Sequence, residues 1–517
     1  MIRSELMIMT ILDCLEATAK HLPDKIALSD GKKIVTFGQW IDFARRIGSA
    51  IITACSGTMR QPVLVFVDRR VETLVGFMGV VASGNFYVPI DCKMPAERMR
   101  HIINVLNPIA ALTLSDADNK LLDDSGCSCV RLGIAESSSC AADNVALSRI
   151  RSELIDMDPV YCIFTSGSTG VPKGVLIPHR GMLDFAGWMM TRFGMNSADV
   201  IGNQAPFYFD CSVKDICICI VAGATMYIIP KKCFAFPKLL GEFLSEKKVT
   251  SLWWATSAVI LTANSGILEK APPKSVRIVT FGGEAIHAKQ INAWRRALPS
   301  ATLVNVYGPT EVTVDCTYYV VNRDFADDEP IPIGKAIENK NVIVLNDVDK
   351  PVGVNEPGEL CMRGTGRALG YYNNRAKTDE VFVQNPLHDL YEDKIYRTGD
   401  IVKYNERGEL VFVSRKDFQI KHMGNRIELG EIETAVSSIP GMTNAACIYD
   451  KSGEKIVLYY TTEDGKERDI VNFVKDKLPK YMFPNQTFLL LRMPYNANGK
   501  IDRLCLKKLH EKAGANV

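Results

Sequence analysis

Over roughly the first three hundred residues, short β-branched runs alternate with segments of helical periodicity, and that alternation leaves few folds open. VLVFVD (63–68) is followed by VETLVGFMGVVASG (71–84), FYVPID (86–91) and PAERMRHIINVL (95–106). Apolar strands joined by helices in this way read as βαβ units on parallel or mixed sheets. Between about 320 and 413 the texture changes to strands cut by Gly and Pro turns, IPIGKAI, NVIVLND, GELCMRG and GELVFV. Such spacing predicts a β-rich subdomain. Beyond about 418 the chain reads helix (428–438), strand (443–449), strand (455–462), helix (468–478) and strand (486–493). The expected architecture is therefore multidomain α/β. A large N-terminal domain, 1–413, carries the β-rich subdomain, and a small mobile α+β domain covers 418–517. The polar run Ser414-Arg415-Lys416-Asp417, directly after the apolar strand 410–413, is the expected hinge.

Length and charge narrow the class. At roughly 100 to 200 residues per domain, a chain of 517 residues holds three to five compact units. Lys plus Arg is 61 against 59 for Asp plus Glu, so nucleic acid is not the default partner. The most apolar stretch, 216–230, includes Gly223 and falls short of the ~20 residues a bilayer requires, so no membrane insertion is expected. The opening MIRSELMIMTILDC places Glu5 and Asp13 among apolar residues without a small-residue cleavage site, and a cytoplasmic protein is expected. Its fifteen cysteines run from Cys14 to Cys505 and read as reduced thiols. The C-x-C pairs Cys127/Cys129 and Cys217/Cys219 lack a further His or Cys at ligand spacing, so no structural metal is assigned.

Chemistry enters after the apolar run 160–164. Thr165-Ser166-Gly167-Ser168-Thr169-Gly170-Val171-Pro172-Lys173-Gly174 packs three glycines, four hydroxyls and a lysine into ten residues. Glycines let backbone amides approach an anion, and hydroxyls and an ammonium add donors. Pro172 and Gly174 stand where a Walker-type loop needs Gly and Ser or Thr, which argues against GTPase or kinase chemistry.

This loop resembles the phosphate-binding signature of the adenylate-forming superfamily, which comprises acyl-CoA synthetases, luciferases and nonribosomal peptide synthetase adenylation domains. Further motifs match in the same order: Asn305-Val306-Tyr307-Gly308-Pro309-Thr310-Glu311, Tyr396-Arg397-Thr398-Gly399-Asp400, Arg426-Ile427-Glu428-Leu429-Gly430-Glu431-Ile432-Glu433 and Asn498-Gly499-Lys500. The match spans 161 to about 503. In size and stand-alone form the chain is similar to D-alanine carrier-protein ligases.

The resemblance implies ATP as reactant, Mg²⁺ as metal and roles for particular residues. Joining a carboxylate to the α-phosphate brings two anions together, so a cation must stand between them. Lys500, on an Asn-Gly turn of the small domain, matches the lysine that contacts both. Glu311 offers hard oxygen to Mg²⁺ and Thr310 a hydroxyl to phosphate. Asp400 matches the acceptor of the ribose hydroxyls, Tyr307 and Phe412 the aromatic faces for adenine, Asn305 the amide for its edge, and Arg415 a further ribose or phosphate contact.

Phe207-Tyr208-Phe209-Asp210-Cys211 sets a carboxylate behind three aromatics, a costly place unless a cation joins it. In amino-acid-activating relatives the matching aspartate pairs with the substrate α-ammonium; the alternative is that Asp210 caps the helix that follows. The remaining pocket positions, by order within the motifs, are Cys211, Lys214, Trp253 or Trp254, Thr280, Gly282, Val306, Val314 and Asp315. A buried Lys214 needs an anion, either an acidic substrate side chain or Asp315 itself. The pattern resembles glutamate or glutamine pockets, with D-alanine open.

An aminoacyl adenylate needs a waiting acceptor or a closed site. By resemblance the small domain rotates about Asp417, and the loop 421–426 with Gly424 then lines an acceptor tunnel. Seventeen residues follow Lys500, without a carrier-like Ser motif, so the acceptor is expected on another polypeptide. A phosphopantetheinylated carrier protein is the expected partner, coenzyme A the alternative. An acyl-CoA synthetase of the same fold, or a non-catalytic nucleotide-binding subunit, are the competing readings.

Overall fold

A computed structural model describes residues 10–167, 172–284, 286–326, 329–416, 419–495 and 501–514. The early alternation resolves into the strand Pro62–Val67, the helix Val71–Ala82, the strand Phe86–Asp91 and the helix Ala96–Leu106. Val71–Ala82 is buried at every position but Glu72, as its largely apolar sequence requires. These elements build a sheet of seven strands among the described residues, in the order Gly370–Tyr371, Lys173–Pro178, Pro159–Thr165, Phe86–Asp91, Pro62–Val67, Ala110–Thr113, Val130–Gly133. A second sheet, of nine strands among the described residues, runs from Lys335–Ala336 through Thr317–Val320, Thr302–Tyr307, Ile278–Gly282 and Ser251–Ala255 to Val200–Asn203, Thr225–Ile228, Ile26–Ser29 and Ile34–Thr36. Its central strands are parallel, and helices including Cys211–Ala222 pack between it and the first sheet in one shared core.

The β-rich segment forms an antiparallel sheet of Lys340–Leu345, Gly358–Gly364, Lys394–Tyr404, Phe382–Gln384 and Leu410–Arg415. Leu410–Arg415 runs past the apolar residues that marked its expected end: Ser414 and Arg415 pair with Ile401 and Asp400, and Lys416 N–H still donates to the Gly399 carbonyl at 2.8 Å. Asp417, the expected hinge residue, lies outside the described residues.

Beyond it, the hairpin Gln419–His422 and Asn425–Glu428 precedes the helix Leu429–Ser437 and the sheet Met442–Asp450, Lys455–Thr462, Gln486–Leu489. The helix expected over 468–478 is the shorter Ile470–Val474, capped by Asp469 accepting from the Asn472 N–H. No helix among the described residues is long and apolar enough to cross a membrane. The stretch 216–230 divides instead at Gly223 (φ 69°) into the end of the helix Cys211–Ala222 and the strand Thr225–Ile228. All fifteen cysteines are free thiols.

Candidate active site

The glycine- and hydroxyl-rich loop joins two antiparallel strands with Thr165 opposite Lys173, so its two ends stand side by side. Ser168, Thr169 and Gly170 lie outside the described residues. Lys173 Nζ donates to Tyr371 Oη at 3.2 Å and stands 3.5 Å from Glu311 Oε1. Tyr371 in turn donates to Glu311 Oε1 at 2.8 Å, and Arg426 Nη1 donates to Oε2 at 2.7 Å. Glu311 is wholly buried. Burial alone would push its carboxyl up, but Arg426, Lys173 and Tyr371 reverse that and hold it below the usual carboxylate range. For Lys173 burial wins: with Arg426 nearby, its ammonium is pulled below the ordinary lysine value despite Glu311.

Arg426 comes from the small domain, whose hairpin enters the cleft at several points. Ser166 Oγ donates to the Arg426 carbonyl at 3.0 Å and accepts the Glu428 N–H at 3.1 Å. Gly167 N–H serves Glu431, which is ion-paired with Arg98 of the large domain, both side chains buried. At the hairpin tip, Gly424 N–H donates to Glu284 Oε1 at 2.8 Å, and Gly424 holds φ 79°, a backbone that glycine adopts without strain. Lys421 Nζ sits 5.7 Å from the centroid of the Tyr307 ring. Lys500 lies outside the described residues.

Of the expected nucleotide residues, Tyr307, Asp400 and Arg415 touch one another. Tyr307 Oη donates to Asp400 Oδ2, and Arg415 Nη1 donates to Oδ1 at 2.6 Å. Asn305 spends its amide donor on the Pro332 carbonyl at 2.8 Å. Phe412 is 39% exposed, whereas Tyr307 is 6% exposed. Thr165 Oγ1 is buried without a partner among the described residues. The hard oxygens of Glu311, the Thr310 and Thr165 hydroxyls and the Lys173 ammonium form a donor set that fits nucleotide phosphate with Mg²⁺. In this arrangement Arg426 engages Glu311 Oε2.

Asp210 stands at the N-terminus of the helix Cys211–Ala222, yet its side chain makes no capping bond. The helix-cap alternative therefore does not describe it. Burial raises its carboxyl, against a hydrogen bond from Thr310 and the charge of Lys214. Lys214 Nζ lies 2.9 Å from Asp315 Oδ2, with 1% and 5% of the two side chains exposed. Burial opposes the ammonium, and Asp315 outweighs it, so Lys214 is held above the ordinary lysine value.

Strand parity separates the two tryptophans. Trp253 pairs with Thr280, Thr280 with Val304, and Val306 lies two residues on, so all four share a face. Trp253 packs in the core cluster with Val213, Val306 and Val314. Trp254 points the other way, into a separate cluster, and donates to the Gly202 carbonyl at 2.8 Å. Trp254 is thus removed from the pocket set. Trp253 Nε1 and Thr280 Oγ1 are both buried without partners among the described residues. Gly282 has a reason other than pocket depth: a Cβ there would overlap the backbone carbonyl of Val306 on the neighbouring strand. Cys211, half-buried, begins the helix, and burial pushes its thiol up to about 12.

Tyr371, Arg98 and Glu284 join this site without any signal in their own neighbourhood. Arg426 and Glu431 sit inside a quoted motif, but only folding reveals what they touch.

Residues 15–372 match the family model described as AMP-binding enzyme, and 431–500 match AMP-binding enzyme C-terminal domain. The chain is 31% identical over 514 residues to the D-alanine--D-alanyl carrier protein ligase of Bacillus licheniformis, covering 97% of this chain and 99% of that one. It is 30% identical over 499 residues to tyrocidine synthase 1 of Brevibacillus parabrevis, covering 95% of this chain but 44% of that protein. Among solved structures, holo-PA1221, a nonribosomal peptide synthetase protein containing adenylation and PCP domains, superposes with a TM-score of 0.82 at 23% identity, over 96% of this chain and 84% of that one. That likeness shows the fold, a large N-terminal domain with a small C-terminal one. With its motifs, its fold and both family matches in agreement, the chain belongs to the AMP-binding enzyme family, the adenylate-forming ligases.

Proposed function

We propose that this protein activates an amino acid as its aminoacyl-AMP, releasing pyrophosphate, and passes the acyl group to the phosphopantetheine thiol of a separate carrier protein. The observation that carries the amino acid is Asp210, a carboxylate that caps nothing and is raised by burial, beside Thr310. Such an anion is stabilised by the α-ammonium of a substrate.

In the first half-reaction a carboxylate oxygen attacks the α-phosphorus and pyrophosphate leaves. Mg²⁺, when bound, would neutralise phosphate charge from Glu311. Lys500 is proposed to bridge carboxylate and phosphate, Lys173 and the loop hydroxyls to hold the phosphates, and Asp400 with Arg415 to hold the ribose. In the second, the carrier's thiolate attacks the acyl carbonyl and AMP leaves. The hairpin contacts at Ser166, Glu284 and Glu311 support an orientation of the small domain suited to that step, with Gly424 beside the acceptor path and 414–417 as the hinge. The full-length likeness to a carrier-protein ligase supports a carrier over coenzyme A.

For the side chain, we favour a polar, glutamine- or glutamate-like group. Asp315 already neutralises Lys214, while Trp253 Nε1 and Thr280 Oγ1 leave hydrogen-bonding capacity for a substrate to fill. A cytoplasmic setting, where ATP is available, belongs to the same proposal.

Pyrophosphate exchange across L- and D-amino acids, fatty acids and aryl acids tests it. Exchange with polar amino acids is expected. Exchange confined to D-alanine would overturn the side-chain reading, and exchange with fatty or aryl acids alone would overturn the amino acid reading and favour an acyl-CoA synthetase or another acid-activating ligase.

A further inference from the structure

Two consecutive buried, β-branched residues, Thr313 and Val314, hold φ of 56° and 66°. Left-handed backbone is strained for such side chains and persists only where its surroundings enforce it. The two ends of this turn are anchored separately. Ala368 N–H donates to the Glu311 carbonyl at 2.8 Å, and Cys316 N–H to the Tyr307 carbonyl at 2.7 Å.

Between those anchors three carbonyls converge on one atom. Lys340 Nζ donates to the carbonyls of Val312, Thr313 and Asp315 at 2.9, 3.2 and 2.5 Å. An ammonium has three donors and no acceptor, so three carbonyls satisfy it completely. Lys340 is 6% exposed and opens the strand Lys340–Leu345, with its Nζ 5.2 Å from the centroid of the Phe185 ring. Space for its stem exists because residue 366 is glycine: a Cβ there would overlap the Lys340 side chain. The Gly366 carbonyl also accepts from Thr313 Oγ1 at 2.8 Å. Asp315, at the end of the turn, is the counter-ion of Lys214.

We propose that Lys340 is a positioning residue for substrate selection: its ammonium occupies a nest of carbonyls, as a bound monovalent cation would, and holds the left-handed turn that sets Val314 and Asp315. The pocket role rests on the amino-acid reading above; the clamp itself does not. Glu311 keeps its own anchor at Ala368 and Cys316 its own at Tyr307, so losing Lys340 disturbs the residues between them, Val312 to Asp315, more than Glu311.

The test uses Lys340→Ala and Lys340→Met in the full chain. Lys340→Met keeps most of the stem's packing, so it decides the matter alone if the alanine protein is recovered unfolded. Hydrogen exchange of the amides of 312–316 is expected to accelerate about tenfold or more in both. The KM for the amino acid should rise about tenfold or more while the KM for ATP moves less than about threefold. Added methylammonium should restore protection in Lys340→Ala, which leaves a cavity, and not in Lys340→Met. Unchanged protection of the turn, or a parallel rise of both KM values, overturns the clamp. A wild-type enzyme that turns over no amino acid would instead defeat the functional reading, with the exchange measurement still judging Lys340.

Discussion

Replacing Asp315 by Asn removes the counter-ion of a lysine that has 1% of its side chain exposed. Breaking a buried pair by deleting one partner costs about 3–5 kcal/mol, because the remaining charge keeps its desolvation penalty. The Asp315→Asn protein should therefore melt several degrees lower. A substrate carboxylate reaching Lys214 would recover part of that loss, whereas a carboxamide would recover little. If only about 1.4–2.7 kcal/mol is recovered, the glutamate-to-glutamine ratio of kcat/KM rises about tenfold to a hundredfold. Glutamate at 100 times its Kd should also raise the variant's stability by about 2.7 kcal/mol, visible as a thermal shift. The assays are pyrophosphate exchange with each amino acid and thermal denaturation with and without ligand. A ratio that stays within about threefold of wild type would refute the placement of Lys214 and Asp315 in the side-chain pocket.

Lys500→Ala should lower adenylate formation by about two to four orders of magnitude while nucleotide binding, followed by calorimetry, largely survives; unchanged exchange would defeat its assignment. Arg98→Met breaks the buried pair with Glu431 between the two domains. It should slow acyl transfer to a carrier thiol about tenfold with pyrophosphate exchange preserved, and an equal fall in both half-reactions would count against a role confined to the second. His179 is 1% exposed, its Nδ1 accepts the Ile11 N–H at 3.3 Å, and burial lowers it to about 4 in spite of Asp158, Asp13 and Asp156. A histidine lowered on folding contributes stability that is present above its unfolded value near 6.5 and is lost as pH falls toward 4. Between pH 7 and pH 5 that loss is about 2 kcal/mol, and His179→Gln should show a correspondingly flatter melting profile over the same interval.

Much of the scaffold was legible because it rests on local chemistry. Strand and helix boundaries from 62 to 106 followed from apolar runs and periodicity, and the strands Met442–Asp450 and Lys455–Thr462 of the small domain fell within a residue or so of their expected ends. Glu311 and Asp400 were singled out by the resemblance of their motifs, while their contacts, with Tyr371 and Arg426 and with Tyr307 and Arg415, came from the fold. Less visible were the short helix Ile470–Val474 and the hairpin Gln419–Glu428, whose existence depends on what they pack against.

Most side-chain partnerships were decided by the tertiary structure, and for Lys214 it chose Asp315 from the two anions the sequence left open. Whether Trp253 or Trp254 faces the pocket is a matter of strand register, which no local pattern in two adjacent tryptophans encodes. The pairing of Lys214 with Asp315, of Arg426 with Glu311 and of Arg98 with Glu431 joins residues far apart in the chain. Lys340 is the clearest case. In sequence it is one lysine among sixty-one basic residues at the start of a strand, and only the folded chain turns three carbonyls toward it. Periodicity and motif spacing act over a few residues, and so they determine elements and signal chemistry. Electrostatic and backbone satisfaction act through space, and so they wait for the fold.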